Sequence, residues 1–246
     1  MVESDRINEI VQTLKRNRLR TTLTAFGVFW GIFMLMIMLG AGRGLEKGVT
    51  RSFAENASNA VYMWTQSTTV SYMGLPRGRS FNFQVEDIQA LRDQVPEIEY
   101  LCPSCQLGGF RGDNNVTRGI KAGPFSVRGD FPENRFVQGF KMNSGRYINQ
   151  LDIQEKRKVC VIGSRVKEVL FEPNEDPLGK YIQVNGTWFR VVGTTTVEGA
   201  GGEAEEKIQT VYIPFTTFQQ AFNWGGKIGW FSITAKPAFS ASLVES

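Results

Sequence analysis

The sequence predicts an α+β protein in which one membrane-spanning helix precedes a folded domain of helices and strands. Residues 21–42 contain no charged side chain over 22 positions, which is typical of a transmembrane helix. Residues 60–101 show a strand, a helix and a second strand in succession. Asn185-Gly186 separates two apolar strand candidates, which is a strong signal for a β-hairpin.

The apolar segment is long enough to cross a membrane. As a helix it spans about 33 Å, against a hydrocarbon core of about 30 Å, and only a helix satisfies the backbone of a single segment there. Gly27 and Gly31 form a G-x-x-x-G pair, which predicts close packing of another helix or reflects the ordinary glycine content of membrane helices. Leu45 and Phe53 continue the helical spacing, so a stalk is predicted over residues 43–58.

Residues 1–20 are predicted to form a cytoplasmic amphipathic helix beside the membrane. Four apolar side chains recur there at helical spacing, and a solvated extension of the spanning helix is the alternative interpretation. More basic residues precede the apolar segment than follow it, which places the N-terminus in the cytoplasm. The small residues 40–42 are compatible with a cleaved signal peptide, but the long N-terminal region and the long apolar run favour an uncleaved anchor.

Composition narrows the classes of function. Of the 246 residues 41% are hydrophobic and 21% charged, which is ordinary for a folded protein. The net charge of +4 is mild and concentrated beside the apolar segment, so membrane lipids are a better partner than nucleic acid. The absence of histidine excludes Ser-His-Asp catalysis and histidine-ligated metal. The sequence also lacks a P-loop, so no catalytic residue, cofactor or metal site is predicted and the chain is not expected to be an enzyme.

The pair Cys102 and Cys105 has three interpretations: a tight disulfide, two free thiols, or a redox centre. A redox centre expects the first cysteine at a helix N-terminus, whereas here the pair is predicted to follow a strand. Intramolecular zinc is excluded because the chain has neither a second cysteine pair nor histidine. Cys160 lies in an apolar run and is predicted to be a core residue.

Three parts are predicted for the domain after the stalk. Residues 59–110 form a β-α-β part with strands at 61–64 and 98–101, a helix at 85–94 and a long polar loop between the first strand and the helix. Residues 111–225 form a β-rich inserted subdomain. Residues 226–246 return to the first part and contain a final strand at 230–235 with alternating faces.

The β-rich part carries most of the individual predictions. Its strands are expected at 116–121, 136–141, 158–163 and 211–214, with a Gly/Pro loop between the first two, and a hairpin is expected at 181–193. Residues 145–149 are predicted as a turn into an exposed segment, Ser164 as the cap of a helix over 165–171, and 216–222 as a helix. The glycine-rich acidic stretch 198–207 is predicted to be a mobile, solvated loop.

The chain resembles a known family at several stations. The run at residues 17–31, followed by glycines at 40, 42 and 44, is similar to the first membrane helix of MacB/LolC/FtsX-like ABC-transporter permeases. The remainder resembles their MacB-type periplasmic core domain, which combines a porter-like α/β part with a mainly β insertion. The matching stations are GRYIN at 145–149, VCVIG at 159–163, LF at 170–171, DPLGK at 176–180, FRVVG at 189–193 and VYIP at 211–214.

The resemblance implies a permease subunit of an exporter in the bacterial inner membrane, with its main domain in the periplasm. It implies a separate cytoplasmic ABC ATPase, a homodimer or paired permease, and engagement of a periplasmic membrane-fusion adaptor and an outer-membrane channel. ATP-driven movement would then expel drugs, peptides or lipid-linked cargo. The alternatives are a signal-anchored periplasmic binding or scaffold domain, and a membrane-tethered hydrolase or redox protein that uses Cys102 and Cys105.

Members of that family continue into three further membrane helices, whereas this sequence ends at Ser246. The resemblance therefore implies a fragment or truncated chain in which the returning porter-like part is incomplete. On this interpretation apolar surface around Phe231 and Ile233 should be exposed.

Overall fold

The structure is a computed structural model that describes residues 17–54, 60–108, 114–197 and 202–236, and of residues 47–54 the backbone alone. The chain divides into two units, one up to Arg51 and one from Ser52 onward. The mixture of helices and strands confirms the predicted α+β class. The predicted amphipathic helix at the N-terminus lies, apart from residues 17–20, outside the described residues.

Helix α1 (Arg18–Ala54) runs without interruption over 37 residues. The most apolar stretch of 18 residues within its part Arg18–Glu46 has a mean hydropathy of 2.1, and within the described residues this helix alone is long and apolar enough to cross a membrane. Three threonines near its start donate their hydroxyls to carbonyls four residues earlier at 2.8–3.2 Å, so these polar groups are satisfied inside the helix. The helix continues past residue 42 as predicted, and residues 55–58 of the expected stalk lie outside the described residues.

The second unit alternates strands with short helices. In chain order they are β1 (Ala60–Trp64), β2 (Phe83–Gln84), α2 (Asp87–Gln94), β3 (Ile98–Gln106), β4 (Asn114–Arg118), β5 (Lys121–Asp130), α3 (Asn134–Val137), β6 (Lys141–Gly145), α4 (Gln150–Gln154), β7 (Val159–Gly163), α5 (Ser164–Leu170), β8 (Tyr181–Val184), β9 (Thr187–Thr196), α6 (Gly202–Ile208), β10 (Thr210–Pro214), α7 (Phe215–Ala221), β11 (Lys227–Ile228) and β12 (Trp230–Ala235).

Ten of these strands form one sheet in the order β1-β12-β3-β5-β10-β7-β9-β8-β4, with β6 paired to β9 and β4 paired also to β5. Strands β1 and β3, which α2 connects, are both antiparallel to β12. The predicted strand-helix-strand succession is therefore present, but β12 lies between its two strands. Strands β2 and β11 form a separate two-stranded sheet.

Strand β3 joins the two ends of the large sheet. Most of its length pairs with β12, whereas only Cys105 and Gln106 pair with β5, opposite Gly129 and Arg128. A single strand thus passes from the three-stranded end, β1-β12-β3, into the remaining sheet.

The hairpin and the buried strands are confirmed. Asn185 and Gly186 have φ angles of 43° and 87°, which the type I′ turn between β8 and β9 requires. All residues of β7 and β10 are buried, as their apolar runs predicted, and Cys160 belongs to the core. Helix α7 and strand β12 also agree with the predicted positions.

Several local predictions are wrong. Residues 136–141 are not a strand, because α3 occupies Asn134–Val137 and β6 begins only at Lys141. Residues 116–121 contain the end of β4, a turn and the start of β5, and most of the expected Gly/Pro loop after them is strand β5. Helix α3 follows β5 directly, and the Asp130 carboxylate at the end of β5 accepts hydrogen bonds from Phe131 N and from the Asn134 side chain, which fix the chain at this point.

Residues 145–149 lead into helix α4, whose Asp152 and Ile153 are buried, and not into an exposed segment; Tyr147 and Ile148 are themselves only 3% exposed. Ser164 is the first residue of α5 and does not cap it; the N-cap is Gly163, without a side-chain cap bond. A glycine is required there because a Cβ would overlap the backbone carbonyl of Ile208.

The acidic stretch at 198–207 is partly helical rather than a loop, while residues 198–201 lie outside the described residues. Helix α6 is held by Lys207, which is buried, forms an ion pair of 3.0 Å with Glu203 and donates to the Gln138 carbonyl at 3.2 Å. These contacts anchor the end of an otherwise acidic segment on the domain.

The apolar surface expected around Phe231 and Ile233 is also buried, at 0% and 4% exposure. Strand β12 is paired along both edges, by β1 and β3, α3 contacts it, and all its residues after Trp230 are buried. Phe83 packs edge-on against Phe231 with ring centroids 5.2 Å apart, which covers the Phe231 side chain.

Candidate functional site

Helix α1 presents an apolar surface to its surroundings. Its large side chains between Leu19 and Leu45 are exposed, and aromatic rings stack along it, as between Phe26 and Trp30 at 5.9 Å. Gly27 and Gly31 lie four positions apart on one face, and a Cβ added at either would meet nothing within 4 Å. The described part of the chain supplies no packing partner to this glycine face, so their role in helix packing stays a prediction.

Cys102 and Cys105 both lie within β3, and neither follows it as predicted. Both are buried free thiols. Residues three apart on a strand point to opposite faces with Cα atoms about 10 Å apart, beyond the roughly 7 Å limit for a disulfide. Of the three interpretations given for Cys102 and Cys105, a pair of free thiols is the one compatible with their positions in β3.

The chemistry of these thiols is that of core groups. Burial raises the pKa of Cys105 to about 12 and raises the pKa of Cys102 further. The nucleophilic thiolate is therefore scarce at neutral pH. The Cys105 Sγ lies 3.3 Å from the Lys227 carbonyl, which is a structural contact between β3 and β11.

A buried polar cluster lies where β3 meets β5, and we call it the Asp130 network. The Asp130 carboxylate is 1% exposed. It accepts hydrogen bonds from Ser104 Oγ at 3.0 Å, Asn134 Nδ2 at 2.6 Å, Tyr147 Oη at 3.0 Å and Phe131 N at 3.2 Å. These donors come from β3, α3, the segment after β6 and the chain just beyond β5, so one carboxylate ties four parts of the fold together.

Burial raises the pKa of the Asp130 carboxyl, and its hydrogen-bond partners lower it. Burial lifts it from 3.8 to about 6, and the hydrogen bonds from Asn134, Tyr147 and Ser104 and the charge of Arg128 oppose this rise. Burial also raises the pKa of Tyr147 well above 10, which keeps its hydroxyl a donor. An acid with a raised pKa is a frequent feature of functional sites, and the hydrogen bonds of this one join elements of the fold.

Arg128 forms a second connection beside this network. Its guanidinium donates to Glu206 Oε1 of α6 at 2.6 Å and to Gln106 Oε1 of β3 at 3.2 Å. It also lies 5.4 Å from the ring centre of Trp230 at the start of β12. Arg128 and Asp130 together link the three-stranded end of the sheet to the remainder through side chains.

The GRYIN station at 145–149 forms the turn between strand β6 and helix α4. Gly145 has a φ of 70°, and a Cβ there would overlap the Val192 carbonyl. Asn149 and Asp152 form a reciprocal capping box at the start of α4, and Arg146 pairs with the buried Asp152 at 2.6 Å. The Tyr147 hydroxyl donates from this turn to the Asp130 carboxylate, so residues 145–149 contribute one donor to the Asp130 network.

The contacts of the Asp130 network and of Arg128 hold separate segments of the fold together. Within the described residues no group of His, Cys, Asp or Glu is placed to hold a metal ion. The sequence did not reveal Arg128, Asp130 or Ser104 as a cluster. Only the motif GRYIN at 145–149, one of the matches to the family, indicated the Tyr147 end of this cluster.

The chain is similar to known proteins over most of its length. The family model for the MacB-like periplasmic core domain matches residues 21–246. The pyoverdine export ATP-binding/permease protein PvdT of Pseudomonas putida is 26% identical over 204 residues, which cover 81% of this chain and 29% of PvdT. The macrolide export ATP-binding/permease protein MacB of Syntrophobacter fumaroxidans is 21% identical over 240 residues, which cover 97% of this chain and 33% of MacB. The chain thus spans about a third or less of the length of these curated relatives.

Solved structures share the fold. The periplasmic region of MacB from Actinobacillus actinomycetemcomitans superposes with a TM-score of 0.62 at 20% identity, covering 78% of this chain and 82% of that one. The extracellular domain of the noncanonic ABC-type transporter YknZ from Gram-positive bacteria gives a TM-score of 0.57 at 17% identity, covering 72% and 85%. The resemblance predicted from the sequence stations is therefore confirmed.

Proposed function

Because this chain belongs to the MacB-like periplasmic core domain family of ABC exporter permeases, we propose that it transmits ATP-driven conformational change from the cytoplasm to a periplasmic domain. Family membership and the apolar helix indicate a membrane-anchored protein with a periplasmic domain. The placement in the bacterial inner membrane with a cytoplasmic N-terminus is part of the proposal, and the basic residues before the apolar segment support it.

The observation that carries this proposal is the continuity of α1. The helix passes from Arg18 through the apolar segment and on to Ala54 without a break. The twelve residues after position 42 add about 18 Å of helix beyond that segment. A continuous helix resists bending, so a displacement at its cytoplasmic end is carried along its axis.

The ATP-hydrolysing step belongs, in this proposal, to a cytoplasmic ABC ATPase that works with the permease. The names of PvdT and MacB place ATP binding and permease in one protein, of which this chain matches about a third or less. The matched part carries no P-loop in its sequence. ATP binding is therefore assigned outside the part that this chain represents.

The proposed assembly is a homodimer or paired permease with a membrane-fusion adaptor and an outer-membrane channel. The exposed face with Gly27 and Gly31 supports pairing of α1 with another helix. Drugs, peptides or lipid-linked molecules are the proposed cargo classes, by analogy with the export named for the relatives.

We assign the folded domain two subdomains. Residues 59–110 and 226–246 form the porter-like part, and residues 111–225 form the β-rich insertion. The pairing of β12 between β1 and β3 supports this division, because the chain returns to the first part only after the insertion.

A proline in the stalk tests the proposal. Leu45→Pro removes a helical hydrogen bond and kinks α1 just beyond the apolar segment, whereas Leu45→Ala keeps the helix and serves as the control. With its ATPase in cells, the proline variant is expected to insert normally and to support ATP hydrolysis while export falls to background. Export at the level of the alanine variant would reduce α1 to a plain anchor and overturn the proposal.

A further inference from the structure

The loop between β1 and β2 forms a second hairpin that the core does not use, and we call residues 65–81 the tip hairpin. Thr68 and Arg79 are joined across it by backbone and side-chain hydrogen bonds of 3.0 and 3.1 Å. At its end Tyr72 and Leu75 exchange backbone hydrogen bonds of 3.2 and 2.9 Å around Met73-Gly74. The sequence predicted only a long polar loop here.

The turn at the end of the tip hairpin holds Met73 in an unfavourable backbone conformation. Met73 has a φ of 47° and Gly74 a φ of 81°, the values of a type I′ turn. Asn, Asp or Gly normally occupy the first of these positions, and methionine is disfavoured there. A strained residue held at the apex of a hydrogen-bonded turn is a recognised mark of functional sites.

The side chains at this apex are apolar and exposed. Val70, Tyr72 and Met73 are 74%, 68% and 84% exposed, and Leu75 and Phe81 extend the same apolar surface at 45% and 52%. Isolated exposed apolar residues need no explanation, but five of them within twelve positions of one ordered hairpin form a patch of the kind that binds a partner. Methionine and tyrosine are also residue types enriched in protein interfaces.

The charge of the tip hairpin is of one sign. Between residues 60 and 85 the sequence contains Arg77 and Arg79 and no Asp or Glu. A partner surface that accepts this patch therefore offers an apolar depression with negative charge at its border.

We propose that the tip hairpin is the docking element for a folded periplasmic protein that presents an apolar groove bordered by carboxylates. This deepens the proposed function and rests on it, because a permease domain that works with a periplasmic partner needs a contact surface. Two cations fall short of the cluster of four to eight that recognises anionic lipid, so a protein is favoured over a membrane surface. A second copy of the chain is disfavoured because facing hairpins would bring four arginines together.

The test is site-specific photocrosslinking with the full chain in its native membrane. A benzoylphenylalanine replaces Leu75 in the tip hairpin or, as a control, Ile120, an equally apolar and fully exposed residue on another β-turn. We expect one protein adduct from position 75 and none from position 120. Identification of the adduct by mass spectrometry then gives the partner and its groove.

Two variants carrying the crosslinker at position 75 separate the apolar and the charged contributions. Tyr72→Thr with Met73→Asn removes apolar surface while creating Asn-Gly, the preferred type I′ pair, so the hairpin itself is not weakened. Arg77→Glu with Arg79→Glu reverses the charge. We expect each pair to lower the adduct about tenfold or more, and exchange of the partner's bordering carboxylates for lysine to restore the adduct of the charge-reversed chain.

An adduct with phospholipid or with a second copy of the chain would overturn the proposal. So would no adduct at position 75, an equal adduct at position 120, or an adduct insensitive to both variants. Unchanged export by the Leu45→Pro variant contradicts the proposed function but leaves this adduct in place, so the two failures are distinguishable.

Discussion

Ser104 in β3 donates a 3.0 Å hydrogen bond to Asp130 at the end of β5, across the point where the three-stranded end of the sheet joins the rest. Backbone pairing with β5 is short here, with Cys105 and Gln106 of β3 in register and one further hydrogen bond from Leu107 N to the Val127 carbonyl. The Ser104–Asp130 hydrogen bond therefore adds a side-chain contact at the short junction between the three-stranded end of the sheet and the remaining strands.

The raised pKa of Asp130 makes stability depend on pH. Because its pKa is about 6 in the folded state and about 3.8 when exposed, the folded protein takes up a proton between these values. The stabilisation is fully present below about pH 4 and is lost as pH rises through 6, which amounts to about 3 kcal/mol. Asp130→Asn should remove this dependence.

The measurement is denaturant unfolding of the detergent-solubilised chain from pH 4 to pH 7. The difference in free energy of unfolding between Asp130→Asn and the unmodified chain should grow in favour of the variant as pH rises. Asp93→Asn, at an exposed carboxylate of α2, is the control. A difference that stays constant across the range would contradict the role assigned to burial.

The cysteines should resist modification while the protein is folded. Cys102, Cys105 and Cys160 are buried, and burial raises the pKa of Cys105 to about 12. A thiol reagent is expected to label none of them natively and all three in denaturant. Ser67→Cys supplies an exposed thiol that should react at once, and comparable native rates for the original cysteines would refute the assigned burial.

Gly163 should be sensitive to a single methyl group. A Cβ there overlaps the backbone carbonyl of Ile208, which a side-chain rotation cannot relieve. We expect Gly163→Ala to cost about 3 kcal/mol of unfolding free energy, whereas Gly202→Ala, where the Cβ meets nothing within 4 Å, should change it little. Equal thermal unfolding midpoints for the two variants would show that β7 and α6 are not in close contact.

The glycine face of α1 should matter for association in the membrane. Gly27→Leu with Gly31→Leu places two branched side chains on this face and should lower energy transfer between labelled copies about fivefold to tenfold. Ala25→Leu with Phe29→Leu changes the opposite face and should leave the signal intact. A loss in the control alone would move the packing face to the other side of the helix.

The sequence predicted correctly those elements whose conformation is set by neighbouring residues. The hairpin at Asn185-Gly186 and strand β7 depend on neighbouring residues and were predicted correctly. Residues 136–141 have the apolar character of a strand, but the chain is helical over Asn134–Val137, where the Asn134 side chain donates to the buried Asp130 carboxylate. That preference depends on a tertiary contact, which a short window of sequence does not contain.

The Asp130 network could not be predicted from the sequence, because it also depends on contacts between residues that are distant in sequence. Its donors Ser104 and Tyr147 lie 26 and 17 residues away in sequence. A lone aspartate after a strand is compatible with an exposed turn as readily as with a buried acceptor. The burial of β12 likewise depends on its pairing with β1 and on its contact with α3, which both lie in distant parts of the chain.

The position of β12 between β1 and β3 also sets an order of events during synthesis. Ala60 pairs with Thr234 and Trp64 with Trp230. Strand β1 therefore cannot form its sheet pairing until β12, the last strand described, has been synthesised. On the ribosome, strands β4 to β10 emerge complete while β1 and β3 still lack the strand that joins them. Closing such non-local pairings is intrinsically slow, so we expect the three-stranded end to be the last part of the domain to form and the part most dependent on chaperones.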